Sequence, residues 1–175
     1  MRRLMCNRGK TRIQKTIFVL FVPLLCAYGQ PDYNRIQFEQ IPDLPAPGPG
    51  ASQPGLAGGF AGVHNRVMIF AGGANFPEAP PWEGGEKKWW RDIYIMKKGD
   101  NGQYHWLNRT FQLPAPMAYG VSISTDEGVI IIGGNNADSC TRKTFLLAWN
   151  TDKETIEITE YPPLPVPLAH MTGCR

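Results

Sequence analysis

An all-β fold of repeated four-stranded units, the blades of a β-propeller, is what this sequence predicts. Three observations carry that expectation. Short apolar runs alternate with Gly- and Pro-containing turns. An apolar run capped by two glycines occurs twice, as Val67-Met-Ile-Phe-Ala-Gly-Gly73 and as Val129-Ile-Ile-Ile-Gly-Gly134. Each of these runs stands second in an order of four strands of different character, and the order recurs. The composition agrees: 19 glycines and 16 prolines among 175 residues suit many short strands and tight turns, not a helical bundle. A plain β-sandwich would also have short strands and turns, but it gives no reason for the matched order.

The N-terminus comes first. Six basic residues, from Arg2 to Lys15, precede an apolar run over residues 16–28, with small residues at Ala27 and Gly29. That is the pattern of a secretory signal peptide, residues 1–29, with the mature chain starting near Gln30. An uncleaved anchor is the alternative. Cys26 invites a lipoprotein signal, but Leu25 stands where such a signal wants a small residue. No second run is long enough to cross a bilayer, so no stable membrane span is expected after cleavage.

Residues 30–54 form a proline-rich lead-in with a short strand expected at 35–40. The first blade is expected over 55–112. Its strands are placed at 58–63, 67–70, 92–97 and 104–109, with turns at 64–66 and 98–102 and a long loop at 74–91. The second is expected over 113–163. Its strands are placed at 118–124, 129–132, 144–150 and 155–161, with turns at 125–128 and 151–154 and a polar loop at 135–143. A third unit begins over 164–175, because Leu164-Pro-Val-Pro-Leu-Ala-His170 resembles Leu113-Pro-Ala-Pro-Met-Ala-Tyr119.

Four-stranded units with a period of about 50 residues, each with an apolar strand capped by Gly-Gly, carry the Kelch signature. The first strand lines the crowded channel and is small and glycine-rich. The second is expected to be buried on both faces. The glycines let the backbone turn where side chains would clash. Propellers close with about four to eight blades. Two blades and a stub therefore read as the N-terminal part of a longer protein, and the 175-residue chain is expected to be unstable or to aggregate when expressed alone because its strand edges and apolar faces lack partners.

Charge excludes one class of partner. The net charge is +3, but the first fifteen residues hold six cations and no acid, and the remainder is slightly acidic. That leaves no basic footprint for nucleic acid. Cys140 and Cys174 remain after signal cleavage. They either form a disulfide, which an exported compartment permits, or stay as two buried free thiols. His64, His105 and His170 are scattered, so no metal site is expected.

In a four-stranded meander every second connection lies at the same end. The long loops 74–91, 110–116 and 135–143 are therefore expected on one rim, where binding residues usually reside. The candidates there are Asn75, Phe76, Lys88, Asn135, Asn136 and Arg142. Amides bind hydroxyls, cations bind carboxylates, and aromatics bind apolar ring faces. Such a rim suits a small, hydroxylated, acidic ligand such as a sugar acid. Any one of these side chains could instead serve only packing or solvation.

Several ordered motifs go beyond generic Kelch glycines. They are Leu56-Ala-Gly-Gly-Phe-Ala-Gly-Val63, Ile69-Phe-Ala-Gly-Gly-Ala-Asn-Phe-Pro77, Lys87-Lys88 with Asp92-Ile93, Ala118-Tyr-Gly-Val-Ser122 and Ile130-Ile-Ile-Gly-Gly134. Over residues 36 to 170 the sequence resembles the N-acetylneuraminate epimerase (sialic acid mutarotase) family, in its cyclically permuted branch. The resemblance implies a six-bladed propeller. It also implies exchange of the α and β anomers of N-acetylneuraminate, without a cofactor, in the periplasm. It implies a glutamate and an arginine as the key catalytic pair, on a blade that in permuted order falls beyond Arg175. No catalytic residue is therefore assigned in this chain. Gly134-Asn135-Asn136 stands where the family can carry Gly-Gly-Glu. A non-catalytic Kelch propeller that binds a carbohydrate or a protein is the other reading.

Overall fold

Asn65 and Arg66 adopt φ of 45° and 64° and close a two-residue hairpin between β1 (Phe60–His64) and β2 (Val67–Ala71). Positive φ at both central positions is the turn whose twist matches an antiparallel pair. The structure is a computed structural model and describes residues 38–46, 53, 55–109 and 111–175. The chain divides into Met1–Phe38 and Glu39–Arg175. Of the first unit only Phe38 is described, so the signal peptide lies outside the described residues. So do the first three positions of the strand expected at 35–40, while 38–40 form no strand.

Among the described residues of the second unit the chain is all-β apart from one short 3-10 turn, Pro81–Glu83. Within the long loop, β3 (Ala74–Asn75) pairs with β4 (Lys88–Trp89), so this segment is a small closed hairpin and not an open loop. Then come β5 (Asp92–Lys98), β6 (Tyr104–Trp106) and β7 (Phe111–Gln112). The first sheet has the order β1-β2-β5-β6, with β7 also on β5. The second sheet is formed by β8 (Val121–Ser124), β9 (Val129–Ile132), β10 (Thr144–Asn150) and β11 (Thr155–Tyr161), in sequence order. Every pairing is antiparallel. These are two propeller blades.

The expected strands 144–150 and 155–161 match β10 and β11 residue for residue. The first strands of both units start later than expected, at Phe60 and Val121, because Gly58 and Tyr119 take positive φ and cannot continue a strand. Of the expected strand 104–109 only Tyr104–Trp106 forms, as β6; β7 lies beyond the expected span, at Phe111–Gln112.

The core lies between the blades. Val67, Ile69 and Ala71 of β2 and Val129 and Ile131 of β9 belong to one buried cluster, with Ile93 and Ile95 of β5 and Phe145, Leu147 and Trp149 of β10. The alternate residues Met68, Phe70, Ile130 and Ile132 are only half-buried. The expectation of burial on both faces of the second strand thus holds for one face. The physical reason is that each blade packs on one other blade among the described residues.

Three devices join the blades. At the inner strands, the Ser122 hydroxyl accepts from the Ala61 amide (3.1 Å) and donates to the Ala61 carbonyl (2.9 Å), and Ser124 Oγ accepts from the Val63 amide (2.9 Å). The hydroxyls satisfy backbone groups that an edge strand would otherwise leave open. Gly62 permits this approach, since a methyl there would lie 2.6 Å from Val129 and 2.8 Å from Ser124 Oγ. At the turn, His64 Nδ1 accepts from the Trp149 amide (2.9 Å) and Asn65 Nδ2 donates to the Trp149 carbonyl (2.9 Å). Further out, the Lys97 ammonium of β5 pairs with Glu154 in the β10–β11 turn.

Hydrogen bonding from Lys97, reinforced by its charge, holds the Glu154 carboxyl below its ordinary value of about 4.5. A depressed folded-state value makes the pair's contribution fully present above the unfolded value. The contribution is lost as pH falls through the lower folded value. The group is exposed, so the effect is small. A double-mutant cycle of Lys97→Met with Glu154→Gln should show favourable coupling at pH 7 and none in acid below the depressed value. Coupling that survives such acid would mean that the contact is not ionic.

The Gly-Gly pairs are where one unit hands over to the next. Gly72 and Gly133 continue their own sheets, donating to Asp92 O (2.9 Å) and Lys143 O (2.8 Å). Gly73 and Gly134 donate to the next unit, at Met117 O (2.9 Å) and Leu168 O (2.8 Å). All four glycines have φ between 59° and 109°, a region costly for any residue with a Cβ. Leu113 and Leu164 also make equivalent bonds, to Arg91 O (2.7 Å) and Arg142 O (2.8 Å). The segment 164–170 therefore docks as 113–119 does.

Candidate functional site

The rim opposite the β1–β2 turn is assembled by the two indoles that follow Lys88. Trp89 Nε1 donates to Asn135 Oδ1 (3.1 Å) and ties the β3–β4 hairpin to the 135–143 loop. Trp90 Nε1 donates to Asn75 Oδ1 (2.8 Å) inside the hairpin. The backbone carbonyls of Trp90 and Arg91 accept from Met117 (3.1 Å) and Leu113 (2.7 Å), which brings in the 110–116 connection. Three long connections thus meet on one rim.

Between them lies a cleft of about 350 Å³ lined by Lys87, Lys88, Trp89, Pro116, Asn136 and Asp138, among others. Two ammonium groups and one carboxylate give it a positive bias. Neither lysine forms an ion pair among the described residues. A larger cavity of about 690 Å³ lies at the opposite end, beside the short turns. Its wall includes Ile41, Val63, Met68 and Met96, and its Lys97 is already paired with Glu154. The larger cavity also carries Arg66, Lys98 and Asn65, but the rim cleft is the one on which the three long connections converge, so we take it as the candidate site.

The six candidates divide between cleft and scaffold, with Phe76 and Arg142 in neither set. Lys88 and Asn136 line the cleft. The Lys88 ammonium sits 4.0 Å from the Trp90 ring centroid and its side chain is exposed. Asn136 Oδ1 accepts from the amides of Asp138 and Ser139, both at 2.9 Å, so its carbonyl shapes the loop and leaves the NH2 end for other use. Asn75 and Asn135 are scaffold amides. Asn135 holds Trp89. Asn75 holds Trp90 and also donates to Gly55 O (2.9 Å) and Gln53 Oε1 (3.4 Å). Phe76, half-buried, follows Asn75 directly. Arg142 stands apart from the cleft, exposed, with Nη1 3.4 Å from the Pro165 carbonyl.

A second set of side chains was not among the candidates. Gly58, Tyr119 and His170 occupy equivalent places in three successive units and share positive φ, at 63°, 60° and 56°. They are chained through the backbone: Tyr119 N donates to Gly58 O (2.8 Å) and His170 N to Tyr119 O (2.6 Å). The Tyr119 ring lies against Gly58, where a methyl group would collide with it. It also packs on the His170 ring at 4.7 Å and 31° and takes the Lys87 ammonium at 4.3 Å from its centroid. The sequence held the signal in the aligned triplets Leu56-Ala57-Gly58, Met117-Ala118-Tyr119 and Leu168-Ala169-His170.

Among the described residues no three His, Cys, Asp or Glu side chains converge to hold a metal, and no helix is long and apolar enough to cross a membrane. Cys140 and Cys174 are both free, and both are exposed and not buried.

Comparison with known proteins bears on the same region. The family described as N-acetylneuraminate epimerase matches residues 26–156. The protein of that name from Yersinia enterocolitica is 36% identical over 141 residues, covering 74% of this chain and 34% of that protein. Its namesake from Vibrio cholerae is 37% identical over 127 residues, covering 67% and 31%. A solved structure titled "Structure of YjhT" aligns with a TM-score of 0.50 and 29% identity, over 64% of this chain and 33% of that one. The chain spans about a third of the length of the curated relatives it matches. All six rim candidates fall inside the matched region, and His170 falls outside it.

Proposed function

This chain belongs to the N-acetylneuraminate epimerase family, and on that premise we propose that it forms part of an exported sialic acid mutarotase and supplies one wall of its substrate site. The observation that carries this is the convergence of three long connections on a cationic, amide-bearing cleft within the region that matches the family. A sugar acid fits that chemistry: ammonium groups suit its carboxylate and amide groups suit its hydroxyls.

Exchange of anomers opens and recloses the ring. It needs a proton delivered to the ring oxygen and one removed from the anomeric hydroxyl, then the reverse on the other face. Positioned acid/base groups are sufficient. The cleft presents binding groups and one carboxylate, Asp138. In our reading this chain binds and orients, and the family's glutamate and arginine act from a further blade. The basic N-terminal stretch and apolar run support action after export, in the periplasm.

The test is direct. Fresh α-N-acetylneuraminate is followed by NMR with no protein, with this chain, and with a longer protein that contains it. The longer protein should speed approach to the anomeric equilibrium, and this chain alone should bind without speeding it. If the longer protein leaves the spontaneous rate unchanged, the mutarotase reading fails. Binding without acceleration by either protein would make a carbohydrate-binding propeller the better reading.

A further inference from the structure

The first blade has a second face, turned away from the second blade, and its register shows what it is built to meet. Counted back from Gly72-Gly73 and from Gly133-Gly134, Met68 and Phe70 of β2 hold the places of Val129 and Ile131 of β9. Their third-strand partners correspond as well: Met96 and Tyr94 stand for Leu147 and Phe145. In the second blade this face is pressed on the first, and Val129 and Ile131 are 1% and 0% exposed. In the first blade Met68 and Phe70 are half-buried, and Val63, opposite Met68, is 56% exposed. Val63, Met68 and Met96 wall the cavity of about 690 Å³. A face that the repeat seals by stacking is therefore open.

The lead-in lies on that face and carries the pattern of a blade's end. The Trp106 indole N–H donates to the Pro42 carbonyl (3.1 Å), and Glu39 and Ile41 line the same cavity. Ile36-Gln-Phe-Glu-Gln-Ile-Pro-Asp-Leu-Pro-Ala-Pro47 repeats Ile156-Glu-Ile-Thr-Glu-Tyr-Pro-Pro-Leu-Pro-Val-Pro167, apolar for apolar and polar for polar except at Asp43. In the second of these, residues 156–161 belong to β11, a fourth strand. The Leu-Pro-x-Pro that follows a fourth strand hands the chain to the next unit. Its leucine amide bonds back to the approach to the third strand, Leu113 to Arg91 O and Leu164 to Arg142 O. Leu44-Pro-Ala-Pro47 is a third copy of that segment, with no such partner among the described residues. Phe38 holds the place of Ile158, which packs on the shared core, yet Phe38 is 92% exposed.

We propose that the lead-in is the fourth strand of a further blade, whose other three strands come from elsewhere in the longer protein, and that this composite blade seats on the Val63–Met68–Met96 face. The partner is thus a blade of the same repeat, three-stranded without the lead-in, presenting an apolar face like the one Ile69 and Ile95 present to the second blade. Residues 38–40 form no strand in this chain because β5 already carries β6 and β7, and β10 carries β11. A second copy of the chain does not fit, for the same reason. Its Leu164–Pro167 would also hold the place that Leu44–Pro47 needs. The inference concerns assembly and does not depend on the sialic acid reading.

Hydrogen exchange and thermal melting of a longer protein that contains this chain test it. Alternate amides within Phe38–Ile41 should exchange at least about tenfold more slowly than in a peptide of the same sequence, as a paired strand requires. Uniformly fast exchange overturns the proposal. Phe38→Asp should lower the melting temperature, and Met68→Glu should do the same; where either fails to fold, Phe38→Ser and Met68→Ser are read instead. A Phe38 that stays exposed would tolerate aspartate with almost no change. If the Phe38 variants melt like the unsubstituted protein, nothing covers that side chain and the proposal falls. If they instead split a dimer and leave the melting of the monomer unchanged, a second copy is the occupant and the proposal falls.

Discussion

Gly72→Ala is expected to destabilise the chain by about 2–5 kcal/mol, as the sum of a left-handed backbone cost and an overpacking cost. At φ 62° an alanine is strained whatever surrounds it. Here the new methyl would also collide with the Met117 carbonyl oxygen. That oxygen accepts the Gly73 amide at 2.9 Å and is one of the bonds that dock the second unit on the first. The methyl can be relieved only by moving the carbonyl, and moving the carbonyl breaks the dock. Gly84→Ala separates the two effects. It also has positive φ, 84°, but a methyl there meets nothing within 4 Å. It should cost only about 1–2 kcal/mol, the backbone share alone. Urea unfolding midpoints of both variants, made in a longer protein that contains these blades, check this. Equal shifts would mean that the carbonyl contact contributes nothing.

Gly133 repeats the arrangement one unit later, against Leu168 O. This is why the blade order was legible in the sequence. A glycine pair forced by backbone contact leaves the same mark in every unit, and a continuous apolar run precedes it. The β10 and β11 limits were legible for local reasons: a four-residue turn separates the strands, with Asn150 opposite Thr155, the polar loop 135–143 precedes β10, and Pro162 follows β11. What failed to show was set by contacts distant in sequence. The β3–β4 hairpin depends on Trp90 reaching Asn75 and Trp89 reaching Asn135, and no local pattern announces either. The first strands seemed longer because Gly58 and Ala118 look strand-compatible in isolation. The left-handed residues that stop them are fixed by the neighbouring unit. The rim as a whole followed from meander topology. Which of its amides are used up in bracing could not, because Asn75 and Asn136 are equally polar in sequence and differ at their NH2 ends: that of Asn75 donates to Gly55 O and Gln53 Oε1, while that of Asn136 is left over among the described residues.

The same separation of roles applies to the histidines. His64 and His170 look alike as isolated polar residues. His64 is buried and accepts the Trp149 amide, so its chemistry is used in joining blades. His170 is exposed on the rim with its ring against Tyr119. His64 is thus committed to a seam between blades, so the binding proposal rests on the rim end of the blades and the stability argument on the other.

At that other end, Trp149→Ala is expected to cost about 3–5 kcal/mol, the range for emptying a fully buried large aromatic site. Trp149 is 1% exposed and belongs to the core shared by both blades. Phe111 of the first blade meets its ring edge-on, at 6.0 Å and 77°, and the Lys97 ammonium lies 5.1 Å from its centroid. Its main chain is gripped by His64 and Asn65, and those two bonds do not depend on the side chain. The loss therefore reads the indole itself. Trp149→Phe refines the point. The indole N–H is buried and has no hydrogen-bond partner among the described residues, an arrangement that carries a desolvation penalty. Phenylalanine removes that penalty and keeps most of the ring contact, so it should cost clearly less than alanine. In a longer protein that contains these two blades, the alanine variant should melt at a clearly lower temperature than the phenylalanine variant, and the phenylalanine variant somewhat below the unsubstituted protein. If the alanine variant melts like the unsubstituted protein, the two blades are held by their backbone seams and the shared core is not what joins them.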